Sequence, residues 1–118
     1  MDHEELLRKL SLGDDAYIES VLANERANEA AWRLDGKTHA LVRIAALVAI
    51  DATTPSYMEA VRCAQHWGAT NDEIVGCLVA IIPAVGMARV VSAAPKVGLA
   101  LGYDVDAALE AHATRADR

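Results

Sequence analysis

Hydrophobic positions in this chain fall into two regimes. Up to about Leu22 they recur at helical spacing among charges, and from Leu34 to Ala94 they run almost without interruption. Near the N-terminus, Leu6, Leu7 and Leu10 share one face of a short helix that Asp2 can cap and Gly13 stops. A second helix starts near Asp14 and carries Tyr17, Ile18, Val21 and Leu22 at the same period. Asn24 to Ala31 is polar and Ala-rich, and reads equally as continued helix or surface loop. Residues 1–33 are thus expected to be a helical cover on a core spanning 34–102, within one domain of 118 residues.

The core stretch is organised about a turn from Asp51 to Ser56. Before it, Asp35 caps a helix over Lys37 to Ile50 whose polar residues, Lys37, Thr38, His39 and Arg43, all lie in the first two turns. Beyond Arg43 every face is apolar, which predicts burial on all sides. After the turn, Pro55 disfavours helical geometry at Thr54, and Ser56 with Glu59 makes a capping box for the next helix. That helix puts Tyr57, Val61 and Ala64 on one face and Glu59, Arg62 and Gln65 opposite, and Gly68 ends it. A second box, Thr70 with Glu73, opens IVGCLVAII, another helix predicted to be buried all round, which Pro83 kinks or ends. Gly86 to Ala94 is helical with Arg89 as its one charge. Pro95, Gly98 and Gly102 then leave one interrupted helix or two. Asp104 or Asp106 starts a last short helix that frays over 113–118. No stretch alternates like a strand. The predicted class is all-α.

Composition sharpens this picture. Hydrophobic residues are 53 % of the chain, yet aromatics are 4 % and Phe is absent, so the core must be closely packed Ala, Val, Leu and Ile. That apolar fraction exceeds what a small monomer hides, which predicts a homo-oligomer. A net charge of −6 argues against a nucleic-acid partner, since phosphates call for a basic stripe. Arg43, Asp51, Pro83 and Arg89 interrupt every candidate membrane span, and the N-terminus is acidic rather than signal-like. Two cysteines without disulfide-style spacing suit a reducing cytoplasm. Four scattered His residues and two Cys show no ligand spacing, so neither a metal nor another cofactor is expected.

The run LDGKTHALVRIAALVAI, a turn, a helix ending at Trp67 and Gly68, the following ATNDEI, an apolar helix, Gly86 and ARVVSAA together carry a resemblance. Over roughly residues 34 to 102 the chain resembles the carboxymuconolactone decarboxylase and AhpD-like alkylhydroperoxidase family. The resemblance implies an AhpD-like helical bundle assembled into trimers or hexamers, with active sites near subunit contacts. Peroxidase-type members carry Cys-x-x-Cys at the turn entering the fourth helix, a His four residues on, and an upstream Glu. A helix N-terminus stabilises a thiolate, and the Glu and His move its protons. Decarboxylase-type members keep the His alone. Here the cysteine positions hold Thr53 and Ser56, the His position holds Ala60, and the Glu position falls at Ala40 or Leu41. Dithiol redox chemistry at that place is therefore not expected.

Other residues carry the remaining candidates. His39 and Arg43, at i and i+4, share one face of an otherwise apolar helix, and Arg43 needs a carboxylate such as Glu59 or Asp51, a neighbouring subunit, or an anionic ligand. Arg89 poses the same question. A structural ion pair is the plainer answer for both. Tyr57 and Glu59 flank the place where the family keeps its catalytic side chains, though Glu59 also serves as the capping-box residue. The reading is a site in which Arg43, Arg89, Thr53 and Ser56 bind a small anionic or carboxylate molecule. His39, Glu59 and Tyr57 act on it, with lyase or isomerase chemistry. An inactive oligomeric scaffold or binding module is the alternative. A peroxidase using Cys63 and Cys77 is the distant one, since free Cys is commonly a small buried hydrophobe. His66 suits the C-terminal end of its helix, and Trp32 and Trp67 read as packing or interface residues.

Overall fold

The fold is seen in a computed structural model that describes residues 2–23 and 33–116, so Trp32 and the 24–31 stretch lie outside the described residues. The chain divides into two units, Met1–Leu34 and Asp35–Arg118. In the first, Asp2 caps α1 (His3–Leu12) by accepting from the Glu5 amide at 2.8 Å. Gly13, at φ 63°, closes it: the Gly13 amide reaches the Leu10 carbonyl and the Asp14 amide that of Lys9. Asp14 then accepts from the Tyr17 amide at 3.0 Å and opens α2 (Asp15–Ala23). The Lys9 ammonium stands 5.9 Å from the Tyr17 ring centre, a cation–π distance. Neither helix contains a buried residue.

The second unit is built from α3 (Gly36–Ala49), α4 (Thr54–His66), α5 (Asn71–Ala80), the single turn α6 (Ile82–Val85), α7 (Met87–Ala100) and α8 (Val105–Ala116). All secondary structure among the described residues is helical, as the pattern predicts. Helix α4 lies against α3 and α7, and α3 lies against α5. Their inner faces meet in a core of Ala40, Ile44, Val48, Tyr57, Ala60, Val61, Ala64, Ile74, Leu78, Val90, Ala93 and Val97. Alanine at four of those positions lets the helix axes approach closely, and each fully buried Ile or Val contributes about 1.5–3 kcal/mol.

Local chemistry sets the helix ends. Asp35 caps α3 through the Thr38 amide at 2.7 Å. Thr70 and Glu73 form the reciprocal capping box of α5, at 3.1 and 2.9 Å. Asp104, rather than Asp106, caps α8 through the Ala107 amide. Gly68, at φ 88°, terminates α4, with the Ala69 amide on the Ala64 carbonyl and its own on Gln65. Pro83 ends α5 and occupies the first turn of α6, where its missing N–H costs nothing.

Several expectations are corrected. Ser56 and Glu59 do not box α4: the helix begins three residues after Asp51, at Thr54, with Thr53 at the N-cap and Pro55 inside the first turn. Pro is at home there, and this outweighs its bias against helical geometry at Thr54. Pro95 does not interrupt α7, which runs unbroken through it. Helix α8 continues through Ala113 to Ala116, where fraying is expected. Nor are the second half of α3 and all of α5 buried on every side. Within one chain α3 buries a single row, Gly36, Ala40, Ile44 and Val48, and leaves Val42, Ala46, Ala49 and Ile50 in water. Helix α5 likewise buries Ile74 and Leu78 and exposes Val75 and Val79.

Candidate functional site

Position along α3 and α4 decides which candidate side chains meet. Arg43 lies beside the buried row of α3 and is half-buried. Ser56, Glu59 and Ala60 follow one another up the flank of α4 that adjoins it. Together with Ala46 and Leu47 these four line an open depression of about 240 Å³ between the two helices. Its α3 wall offers one guanidinium and two apolar side chains. The α4 wall offers a hydroxyl, a carboxylate and a methyl. Arg43 supplies fixed positive charge with donors in a fork that fits a carboxylate. Ser56 both donates and accepts, and Glu59 is exposed.

The other predicted site residues are elsewhere. His39, four residues before Arg43, is half-buried on α3 and is not among the lining residues. Thr53 is exposed at the N-cap of α4 and makes no side-chain cap hydrogen bond; its carbonyl accepts from the Ser56 amide at 3.1 Å. Arg89 is exposed on α7, so the buried charge that would demand a partner does not arise there. Tyr57 is fully buried in the core, and its hydroxyl finds no hydrogen-bond partner. Burial, reinforced by the nearby negative charge of Asp51, raises the phenol above its ordinary pKa. Tyr57 therefore packs on the inner face of α4 while Ser56 and Glu59 serve the depression.

Two polar clusters were not legible in the sequence. Lys37 and Glu73 pair at 2.9 Å, fastening the start of α3 to the start of α5. The Thr70 amide, then Lys37, holds the Glu73 carboxyl below its usual range, and Glu73 raises the Lys37 pKa in return. Asp51, in the left-handed region at φ 53°, accepts from the Ser92 hydroxyl at 2.7 Å and lies 3.5 Å from Lys96 Nζ. The Ser92 hydrogen bond, then the Lys96 charge, depresses its pKa. Asp51 is thus engaged by α7. No local signal in the sequence marks a pairing between residues so far apart in the chain.

Cys63 and Cys77 are both free and half-buried. Cys63 packs against the core. Burial, then the negative charge of Glu73, raises the Cys77 pKa, which disfavours the thiolate a peroxidatic cysteine requires. Among the described residues no three His, Cys, Asp or Glu side chains gather as a metal site would need. No described helix is long and apolar enough to cross a membrane. A wider depression of about 430 Å³ runs beside α8, lined by Tyr103, Val105, Leu109, His112 and Arg115 among others. It contains none of the residues singled out by sequence. Comparison with protein-family models, with curated proteins and with solved structures gives no match.

Proposed function

We propose that the depression between α3 and α4 binds a small carboxylate, with Arg43 as its anchor. The observation that carries this reading is the gathering of Arg43, Ser56 and Glu59 around one concavity with Ala46, Leu47 and Ala60. A guanidinium pairs with the carboxylate, the apolar walls take a short hydrocarbon body, and the hydroxyl of Ser56 orients a second polar group. The N-terminal end of α4 adds favourable potential for an anion, because Thr53 does not cap it. Glu59 is the group placed to move a proton on such a ligand, which suits non-redox lyase or isomerase chemistry. His39, outside the lining, takes no part in this version of the site.

On this reading the chain is a divergent member of the carboxymuconolactone decarboxylase and AhpD-like family that has kept the scaffold without the dithiol. Ser56 and Ala60, which stand where that resemblance puts a cysteine and the histidine, both line the depression. The subunit works as a trimer or hexamer, a proposal supported by the apolar faces that α3 and α5 present to water. Two free thiols accord with a reducing cytoplasm. Ala60 also favours a second reading, a binding module without catalysis, because a methyl stands where an acid–base group would be needed.

A thermal-shift screen of small monocarboxylates against the wild type, Arg43→Met and Glu59→Gln tests the proposal. Stabilisation of the wild type by at least one acid, lost in Arg43→Met, is expected. Equal responses from wild type and Arg43→Met would remove Arg43 as the anchor. Light scattering tests the assembly, and a monomer at micromolar concentration would contradict it.

A further inference from the structure

The turn that delivers Ser56 to the depression is fastened from a distance. Side chains cap α3, α5 and α8 at Asp35, Thr70 and Asp104, but Thr53 gives α4 no such bond. Among the described residues, four helix ends close through a left-handed residue, and three of these are glycines, at 13, 68 and 102. The fourth is Asp51, whose own amide reaches the Val48 carbonyl while that of Ala52 reaches Leu47. Glycine adopts that conformation at no steric cost, and aspartate does so less readily. What Asp51 has instead is a side chain tied to α7, forty-one residues on. Lys96, one turn beyond Ser92, donates to the Ala52 carbonyl at 3.0 Å and to the Ser92 hydroxyl at 3.4 Å, and faces the Asp51 carboxylate at 3.5 Å.

We infer that Asp51, Ser92 and Lys96 form a releasable latch between α7 and the α3–α4 turn, whose opening frees the first turn of α4 and with it the Ser56 wall of the depression. The Asp51 side chain is 48 % exposed and that of Lys96 27 %, so water competes for each contact and none is strong alone. Once they are lost, no side-chain cap at Thr53 holds α4, and the left-handed Asp51 is kept in place only by the backbone bonds of Asp51 and Ala52. The latch's meaning for ligand entry rests on the proposed site, whereas its existence does not.

Amide hydrogen exchange on the full chain without ligand reads the latch directly. In Lys96→Met, exchange at the amides of Asp51, Ala52, Ser56 and Tyr57 should rise about three- to tenfold, the effect of losing one or two such hydrogen bonds. The amides of Gly68 and Ala69, which close the opposite end of α4 by the same geometry, should not follow. Ser92→Ala should give the same pattern in weaker form and carries the test if Lys96→Met does not fold. Unchanged rates at the four turn amides, or an equal rise at Gly68 and Ala69, would overturn the latch. If the turn responds as expected while no carboxylate binds, the latch stands and the proposed site fails.

Discussion

The indole of Trp67 lies where the β-carbon of any residue other than glycine at position 36 would stand. Gly36 is the first residue of α3 and fully buried, and Trp67 is the C-terminal cap of α4, so the two helices are registered at this point by the absence of a side chain.

Gly36→Ala therefore sets helix propensity against packing. Alanine gains about 1 kcal/mol as a helix former, but overpacking against a large ring costs about 1–3 kcal/mol. Urea denaturation should show a net loss of up to about 2 kcal/mol. In a Trp67→Ala background the same change should become neutral or stabilising, and an additive double mutant would contradict the contact.

Tyr57 gives a prediction of opposite sign to the usual one. Its ring fills the core, yet its hydroxyl is buried without a partner. Tyr57→Phe should stabilise the protein by about 1 kcal/mol, because an unmet buried hydroxyl carries a desolvation cost. Tyr57→Ala should cost about 3–5 kcal/mol through the cavity it opens. Destabilisation by the Phe variant would mean that the hydroxyl is satisfied.

Acid should loosen the molecule at identifiable carboxylates. Asp35, Asp51 and Glu73 all have pKa values lowered in the fold, chiefly by the Thr38 amide, the Ser92 hydroxyl and the Thr70 amide respectively. A carboxylate with a depressed folded pKa contributes fully above its unfolded value, and that contribution is lost as pH falls through the folded one. Urea midpoints should thus hold steady above about pH 5 and decline below about pH 4. Glu73→Gln should flatten part of that decline. A flat profile in the wild type would contradict the assignments.

Cys77 should be a slow nucleophile. With its pKa raised by burial and by Glu73, it should react with iodoacetamide at pH 8 more slowly than free cysteine does. Reaction at or above the free rate would revive a thiol-based reading.

Much of the fold was legible because the signals were local. Asp2, Asp35, the Thr70–Glu73 box and Gly68 each act within a few residues, and the structure uses them as the sequence predicts. The inner face of α4, with Tyr57, Val61 and Ala64, follows from helical period alone. The failures lie where tertiary context chose between local options. Ser56 with Glu59 matches a capping box, but Pro55 fits a first turn just as well, and the helix starts earlier. Apolarity beyond Arg43 predicts burial all round, whereas one chain buries only the Gly36, Ala40, Ile44 and Val48 row. At the site, a neighbourhood along α3 and α4 brought Arg43, Ser56 and Glu59 within reach. It did not reveal that His39 falls outside the lining. Partners forty residues apart, such as Asp51 and Ser92, leave no local trace at all.

The central claim is that Arg43 anchors a small carboxylate between α3 and α4, and a two-dimensional amide NMR titration with benzoate tests it most directly. Saturable shifts should concentrate on Arg43, Leu47, Ser56, Glu59 and Ala60, and disappear in Arg43→Gln while the rest of its spectrum stays that of the folded protein. Shifts that cluster beside α8 instead, or that persist unchanged in Arg43→Gln, would contradict it.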